Sequence, residues 1–563
     1  MPVRALSGLA GVALLAVVAA AESAPPAADL IVRDAHIWTV DPAQPEAEAL
    51  AVLNGRITAV GSNQDVDAWR GPRTQVVEAH GKRLVPGFND AHVHFEDGGH
   101  ALMAVQLNDA TSLAEFLRRI GAYAKTLSKG EWILEGNWDE TKWSPAELPT
   151  RQQIDAVAPD NPVSISRYDG HMIVVNSRVL ALAGITAATA DPPGGVIVRD
   201  AMGEPTGALK DAASDLVDRI VPAATHAQHR KAVERALEEA ASHGVTSVQD
   251  MASPYASMGV YSELEREGKL TVRIYAAPPI ATVEDQARLQ IGRSFGSADL
   301  RLGALKAFAD GSLGSRTAYF FQPFDDQPGN RGLLAQDMQP LSKIRGWMMR
   351  ADETGLQLCT HAIGDAGISA VLDLYAEIDA KHGHRDRRWR VEHAQHMAAK
   401  DFDRFKALGV IASMQPYHAI DDGRWAEARI GHDRSSRTYA FRTFLDHGVR
   451  LAFGTDWPVA PLNPLLTLYA ATTRATLDGK HPNGWFPEQK LTIAESIASY
   501  TMGSAYAEFQ DGVKGSITPG KLADFVLLNE DILKIPSAEI RNVTVLGTWV
   551  GGKQVYKAPA AAH

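Results

Sequence analysis

The chain has 563 residues, of which 45% are apolar and 22% charged, and its formal net charge is −11. This length allows one large domain plus a smaller one, and the composition is typical of a globular protein. The negative charge, with no basic cluster, argues against a nucleic-acid partner. The single cysteine, Cys359, excludes an internal disulfide and argues against a thiolate metal site.

The N-terminal segment, residues 1–24, is predicted to be a signal peptide. Arg4 supplies a positive charge, and Ala5–Ala21 is an apolar run. Small residues place the cleavage site near Ala21 or Ala24. We therefore expect an exported protein, periplasmic or secreted, that has no membrane segment after cleavage. The alternative is an uncleaved anchor, although the run is short for a membrane span.

Short β segments occur near both ends of the mature chain. The first group comprises Asp29–Val40, a hairpin over Ala49–Val60 and the strand Val76–Lys82. The second comprises Ala523–Leu528 and a hairpin over Val543–Tyr556. Because chain termini often lie close together, we expect residues 29–83 and 515–557 to form one composite β-sandwich domain. The alternative is two separate additions to the edges of a larger domain.

The middle of the chain, residues 84–514, alternates between apolar β-type runs and amphipathic helices, one of which is predicted over His226–Gly244. Eight runs predict an α/β fold of the (β/α)8 TIM-barrel type. An open doubly wound sheet is the alternative, but no GxGxxG turn follows an early strand. The runs are Leu84–Val85, Val245–Gln249, Val272–Ala277, Leu302–Ala307, Gln357–Thr360, Trp389–Glu392, Val410–Met414 and Arg450–Gly454.

A long insertion separates the first two of these runs. Phe95 to Gly244 is too long for one loop, so it must contain folded elements of its own, with the insertion proper at about residues 100–225. Val163–Arg167 is a predicted strand within it. Because the insertion begins at the barrel end where the first strand finishes, we expect it to cover the site there.

Polar side chains follow five of the eight runs. His92 and His94 come after the first, and residues two apart in an extended segment project from the same face. The remaining runs contribute Lys306, His361, His393 and Asp456. In a barrel all strand C-termini surround one mouth, so these six side chains are predicted to converge. Neutral imidazoles with a carboxylate suit zinc or a similar divalent ion.

Lys306 does not fit this set as an ammonium, which has no acceptor atom. Burial and neighbouring positive charge lower a lysine pKa, and the neutral amine can react with carbon dioxide to form an anionic carbamate. A carbamate could bridge two metals. The alternative is a salt bridge from Lys306 to Asp310 or another nearby carboxylate.

Five segments taken together resemble the successive motifs of the amidohydrolase superfamily. They are PGFNDAHVH, LKAFADGSLGSRTA, THAIGD, RVEHAQ and FGTDWPV, and the likeness runs from about Asp29 to Tyr556. The closest resemblance is to amidohydrolase family 3, the YtcJ-like branch that includes N-substituted formamide deformylases. It implies two divalent metals, expected to be Zn²⁺. His92, His94 and Asp456 would bind one, His361 and His393 the other, and carbamylated Lys306 would bridge them.

The resemblance also implies the reaction. We expect hydrolysis of a non-peptide C–N bond in a small-molecule amide, formamide or cyclic amide by a metal-activated hydroxide, with Asp456 as general base and then general acid. The alternatives are an esterase, lactonase or isomerase on the same site, or a periplasmic binding protein without turnover. A homo-oligomer is compatible with the sequence.

Three further residues are weaker candidates for substrate binding. His171 in the insertion could contact substrate or could hydrogen-bond to Asp169. Arg316 could bind an anionic group or order its glycine-rich loop. Trp457 could form a wall of the pocket or pack in the core. His396, His418, Asp421 and Asp422 are interpreted as surface or supporting residues, and Cys359 as a packing residue.

Overall fold

The computed structural model describes Met1, residues 26–293 and residues 295–559. Its strands are β1 Leu30–Trp38, β2 Glu46–Ala47, β3 Ala49–Leu53, β4 Arg56–Gly61, β5 Gln75–Pro86, β6 Phe88–Val93, β7 Ile133–Leu134, β8 Val163–Ser166, β9 Met172–Val175, β10 Gly195–Arg199, β11 Pro205–Asp211, β12 Val245–Met251, β13 Arg273–Ala277, β14 Phe295–Gly296, β15 Leu300–Leu302, β16 Ala304–Phe308, β17 Gln357–Ala362, β18 Arg390–His393, β19 Ile411–Met414, β20 Leu451–Phe453, β21 Phe525–Leu528, β22 Val545–Val550 and β23 Lys553–Lys557.

The α-helices of the same residues are α1 Asn63–Asp67, α2 Phe95–Met103, α3 Leu113–Ala124, α4 Arg151–Val157, α5 Ser177–Leu182, α6 Asp215–Asp218, α7 His226–Ser242, α8 Tyr255–Arg266, α9 Val283–Arg288, α10 Leu341–Glu353, α11 Asp365–His382, α12 Phe402–Leu408, α13 Pro416–Asp422, α14 Ala426–Ser435, α15 Phe441–Asp446, α16 Pro464–Thr473, α17 Ile493–Ala498 and α18 Ser504–Ala507. Short 3-10 turns and one π-helical turn, Ser499–Gly503, connect some of them.

Strands from both chain ends form a single eight-stranded sheet. Its order is β23-β22-β21-β5-β1-β3-β4, with β2 paired to β1. β21 runs antiparallel to β5, with Phe525 opposite Pro86, so the two ends of the chain meet in the middle of this sheet. Phe525 also stacks on Trp549, with 5.1 Å between ring centroids. The pairing joins the two ends as one unit, whereas the two-layered sandwich stays a prediction.

The middle of the chain forms a TIM-barrel-like α/β domain. One parallel sheet contains β6, β12, β13 and β15, with the short β14 antiparallel at its edge. A second parallel sheet contains β16 to β20 in chain order. Isolated parallel bridges at Val93–Trp457 and Pro279–Lys306 connect the two sheets. The strands of both sheets are largely buried, because helices cover parallel sheets.

Most predicted elements of this domain are confirmed, and one strand assignment was wrong. The helix over His226–Gly244 is α7, which ends at Ser242 and is followed by Gly244 at φ +77°. Leu84–Val85, predicted as the first barrel strand, belongs to β5 of the terminal sheet. The corresponding strand is β6, which starts two residues after β5 and is buried along its whole length. Both segments are apolar, so composition alone did not separate them.

The insertion contains a sheet of its own, most of which was not predicted. Its order is β10-β11-β9-β8-β7, and only β8 corresponds to a predicted strand. Phe116, Trp138 and Trp143 pack together beneath it in a separate apolar core. The insertion is therefore a folded unit with its own core.

The segment predicted to be a signal peptide lies outside the described residues except for Met1, and it stays a prediction. Within the described part of the chain, no helix combines the length and apolar character needed to cross a bilayer.

Candidate metal centre

His92 is held at the end of β6 by a carboxylate behind it. Its Nδ1 donates to Glu392 Oε2 at 2.7 Å, and both side chains are fully buried. Arg390 forms an ion pair with Glu392 at 2.7 Å and so keeps that carboxylate charged. This hydrogen bond fixes the tautomer and leaves His92 Nε2 free to face the site. Burial is the main reason that the pKa of His92 is lowered to about 4. The ring is therefore neutral at pH 7.

Asp456 lies beside His92 because the loop after β20 is hydrogen-bonded to the end of β6. The Asp456 N–H donates to the His92 carbonyl at 2.7 Å, and the His94 N–H donates to the Trp457 carbonyl at 2.8 Å. Asp456 has φ +62°, in the left-handed region. Such a conformation costs about 1–3 kcal/mol in a non-glycine residue, and such strain is concentrated at functional sites.

The Asp456 carboxylate is surrounded by imidazoles. Oδ1 lies 3.4 Å from both His92 Nε2 and His94 Nε2. Oδ2 lies 3.4 Å from His418 Nε2 and 4.0 Å from His393 Nδ1. Burial raises the pKa of Asp456, but the imidazoles of His418 and His94, which hydrogen-bond to the carboxylate, help to outweigh burial and hold the pKa well below its ordinary value. The carboxylate is therefore ionised at neutral pH.

His361 and His393 lie at the ends of the neighbouring strands β17 and β18, with 4.5 Å between their ring centroids. His361 Nε2 donates to the Gly311 carbonyl at 3.2 Å, and His393 Nδ1 donates to Gln415 Oε1 at 2.8 Å. Burial lowers the pKa of both rings well below the ordinary histidine value. Each is a neutral imidazole with its second nitrogen available, which is the state that binds metals.

Lys306 lies in the same cluster. Its Nζ is 3.2 Å from His92 Nε2, and its side chain is 1% exposed. Among the described residues it makes no ion pair within 4.0 Å, and burial lowers its pKa. The alternative of a Lys306–Asp310 salt bridge was wrong: the Asp310 carboxylate accepts backbone N–H groups around β17, including those of Ile363 and Gly364.

These residues provide a suitable donor set for a divalent cation. The ligand atoms of His92, His393 and Asp456 all lie within 4.8 Å of one another, and all three residues are buried. Two neutral imidazoles and one carboxylate are donors that zinc and similar ions bind. All six predicted ligands are therefore gathered at one place: His92, His94, Lys306, His361, His393 and Asp456.

A cavity of about 360 Å³ opens above this cluster. All of the six candidates except the fully buried His92 line it. The insertion provides much of one wall, including Arg167, Tyr168 and His171. The volume suits a small molecule.

Of the three weaker candidates for substrate binding, His171 lines the cavity, whereas Arg316 and Trp457 do not. His171 lines the cavity, 5.1 Å from the His361 ring, and its Nδ1 donates to Asp211 Oδ1 at 2.8 Å. The structure does not place Arg316 at the cavity, since its guanidinium pairs with Asp326 at 2.7 Å. Trp457 is also not a lining residue, because its ring is buried against Phe95 and Gly98.

Several polar residues that were interpreted as surface or supporting residues are buried. His418 contacts Asp456 directly. Asp422 accepts from Gln395 and Tyr439, which fits a supporting role and not a surface position. His396 is also buried and pairs with Thr438. His418 follows β19, so extending the strand-end rule to the seventh strand would have found it.

A TIM-barrel-like domain with buried histidines, a lysine and an aspartate at its strand ends defines a class of metal-dependent hydrolases. The Amidohydrolase family model matches residues 75–556, and the chain belongs to that family. It is thus a hydrolase that acts on C–N bonds, and the predicted family is confirmed.

Relatives and solved structures support the assignment over nearly the whole chain. The chain is 38% identical over 547 residues to Protein LONG AFTER FAR-RED 3 of Arabidopsis thaliana, covering 94% of this chain and 93% of that protein. It is 28% identical over 549 residues to the N-substituted formamide deformylase of Arthrobacter pascens, covering 94% and 98%. The crystal structure of an uncharacterized metal-dependent hydrolase from Pyrococcus furiosus superposes with a TM-score of 0.70 at 27% identity, covering 90% of this chain and 100% of that chain.

Proposed function

We propose that this protein hydrolyses a small non-peptide amide, formamide or cyclic amide, with Asp456 as the group that moves the proton. The observation that supports this most directly is the position of the Asp456 carboxylate. It is ionised, lines the cavity and lies 3.4 Å from each of His92, His94 and His418. The similarity to a formamide deformylase favours an N-acyl or N-formyl substrate.

The metal assignment is part of the proposal. His92, His94 and Asp456 would hold one Zn²⁺, His361 and His393 a second, and carbamylated Lys306 would link them. When bound, the metals acidify water and polarise a carbonyl. The buried, lowered-pKa amine of Lys306 supports the carbamate, because only a neutral amine can add carbon dioxide.

The protein residues then have separate tasks. Asp456 accepts a proton from the attacking water and delivers it to the leaving nitrogen. His418 lies against the second oxygen of that carboxylate and helps to keep it charged. Glu392 and Gln415 orient the rings of His92 and His393. His171, which lines the cavity on the wall formed by the insertion, would contact the substrate.

Metal analysis and a substrate panel test this function. We expect purified protein to contain divalent metal and to hydrolyse N-formyl, N-acyl or cyclic amides. Asp456→Asn should lower kcat about 10²–10⁴-fold. Arg316→Ala, away from the cavity, is the matched control and should retain activity. Protein without metal, or equal turnover by Asp456→Asn, would overturn the proposal.

The same panel separates the alternatives. An esterase or lactonase would hydrolyse esters or lactones but none of the amides, and an isomerase would convert a compound without consuming water. If the protein is a periplasmic binding protein, wild type and Asp456→Asn would bind a ligand equally well, and neither would convert it to product.

The carbamate has a direct test. Protein equilibrated with carbon-13 bicarbonate should give a carbamate resonance that Lys306→Met lacks. Failure to observe the resonance in metal-loaded wild-type protein would contradict the proposed bridge while leaving the hydrolase assignment intact.

Two structural proposals accompany the function. The eight strands β6, β12, β13 and β16 to β20 would close a full barrel, supported by the bridges at Val93–Trp457 and Pro279–Lys306. The chain would also be exported after cleavage near Ala21 or Ala24, which N-terminal sequencing of protein from the periplasm or medium would test.

A further inference from the structure

A cluster of one carboxylate and two imidazoles lies between α2 and α7, apart from the six residues around Asp456. Glu96 and His100 are one turn apart on α2, and His229 is on the first turn of α7. His100 Nε2 lies 3.1 Å from Glu96 Oε1, and His229 Nδ1 forms a hydrogen bond to the same oxygen. The ligand atoms of the three residues all lie within 4.8 Å of one another.

Glu96 carries an oxygen that these contacts do not satisfy. Its residue is 6% exposed, and Oε2 is buried with no hydrogen-bond partner among the described residues. Ser257 Oγ on α8 faces the Glu96 carboxylate, but like Oε2 it is buried and forms no hydrogen bond of good geometry within the described residues. A carboxylate oxygen left unsatisfied in a buried position costs free energy, and a bound cation would remove that cost.

The two helices that carry the cluster are closely packed, whereas its imidazoles are partly exposed to solvent. Gly99 lies between Glu96 and His100 on α2, and a Cβ added there would overlap the Ala232 carbonyl oxygen of α7, so the two helices are in close contact. The side chains of His100 and His229 are 25% and 21% exposed. A cation could therefore reach both imidazoles from solvent without separating the helices.

We propose that Glu96, His100 and His229 bind a divalent cation, with Zn²⁺ preferred, at a site separate from the centre around Asp456. Two imidazoles and one carboxylate are a known zinc donor set, and the exposed side leaves a fourth position for water. This site goes beyond the proposed hydrolase function, since it shares no ligand with the six residues of that centre.

A cation bound at this site should stabilise the fold, because its ligands come from two different helices. α2 begins at Phe95, immediately after His94, and a cation held by both helices would fasten α2 to α7. Occupation should therefore stabilise the segment that carries His94. Because binding to the native state alone raises apparent stability, added metal should raise the melting temperature.

The experiment compares metal stoichiometry in full-length wild type and His229→Gln. Glutamine retains a hydrogen-bond donor for Glu96 but removes the imidazole, so the fold is preserved. After equilibrium dialysis against buffered Zn²⁺, elemental analysis should give about one more Zn²⁺ per chain in wild type. Co²⁺ should add visible absorption bands in wild type that His229→Gln lacks.

His226→Gln is the matched control, because His226 is also on the first turn of α7 but is 66% exposed and pairs with Glu263 instead. It should bind as much Zn²⁺ as wild type. Equal stoichiometry in wild type and His229→Gln, with both folded by circular dichroism, would overturn the proposal. The difference between variants is independent of how many ions the Asp456 centre holds.

Discussion

At the scale of single residues, the environment of Asp456 explains how one carboxylate can act in a buried place. Burial alone would favour its protonated form, but the imidazoles of His94 and His418 lie 3.4 Å from its two oxygens and stabilise the anion. Asp456 has a left-handed backbone conformation, at φ +62°. The strain is maintained by backbone hydrogen bonds to the end of β6.

His418→Ala tests the contribution of one of these imidazoles. His418 contacts Asp456 Oδ2 but is not a proposed ligand of either metal. Removing this contact should cost about 1.5–3 kcal/mol, the usual range for a polar contact to a charged group, and so lower kcat/KM about tenfold to a hundredfold. Elemental analysis should show unchanged metal content. A loss of metal together with activity would instead make His418 a ligand.

Glu392→Gln tests the support behind His92. The carboxylate accepts the His92 Nδ1 proton at 2.7 Å, and the neutral amide would hold the ring less firmly. We expect metal affinity to fall about 10–100-fold, measured by competition with a chelator. Glu377→Gln removes an exposed carboxylate that pairs with Arg345, and its metal affinity should equal that of wild type.

At the scale of elements, the close contact between α2 and α7 requires glycine at residue 99. Gly99→Ala places a methyl group against the Ala232 carbonyl and should destabilise the protein by about 1–3 kcal/mol, measured as a lower urea midpoint. Gly259→Ala, in the middle of α8 with no atom within 4 Å of its added Cβ, should instead stabilise it by about 0.5–1 kcal/mol. Equal effects of the two substitutions would contradict the close packing.

The elements also explain what the sequence could predict. Strand-end positions identified His92, His94, Lys306, His361, His393 and Asp456, because parallel strands bring their C-termini to one edge whatever the loop lengths. Periodicity located α7 for a similar reason, since an amphipathic stripe depends only on local spacing. Both signals are contained in short stretches of sequence.

Features fixed by distant partners were missed. Glu392 supports His92 across 300 positions of sequence, and nothing near either residue indicates the pairing. Arg316 pairs with Asp326 rather than reaching the cavity, which depends on how its loop folds. Most of the insertion sheet was also missed, although β8 was predicted: β7 has two residues and β9 four, too few to establish an alternating pattern.

At the scale of the whole molecule, the terminal sheet and the barrel-like domain are joined by covalent and ionic links. β5 of the sheet leads through Gly87 directly into β6, which carries His92. Arg273 on β13 forms a bidentate ion pair with Asp524, which lies just before β21. Its Nε is 2.7 Å from Asp524 Oδ2, and its Nη2 is 2.9 Å from Oδ1. Both side chains are buried, so this pair connects the two units where solvent does not screen it.

Breaking that pair should therefore destabilise the molecule strongly. Asp524→Ala leaves a buried guanidinium without its main partner and should cost about 3–5 kcal/mol, seen as a lower urea midpoint at pH 7. Asp299→Ala removes the half-exposed second partner of Arg273 and should cost no more than about 1 kcal/mol. The double variant Arg273→Met with Asp524→Leu should recover most of the loss, because it leaves no buried unpaired charge and Asp299 is half-exposed.

The pH dependence of this effect follows from the pKa of Asp524. Burial raises that pKa, but Arg273 outweighs burial and holds it below the ordinary value of 3.8. A carboxyl group with a lowered native pKa contributes stability that is present above the ordinary value and is lost as the pH falls through the native value. The difference in urea midpoint between wild type and Asp524→Ala should thus stay constant from pH 7 to pH 5 and narrow only below about pH 4. A difference that already narrows near pH 6 would mean that the pair does not keep Asp524 ionised, and the proposed ionic link between the terminal sheet and the barrel-like domain would then be contradicted.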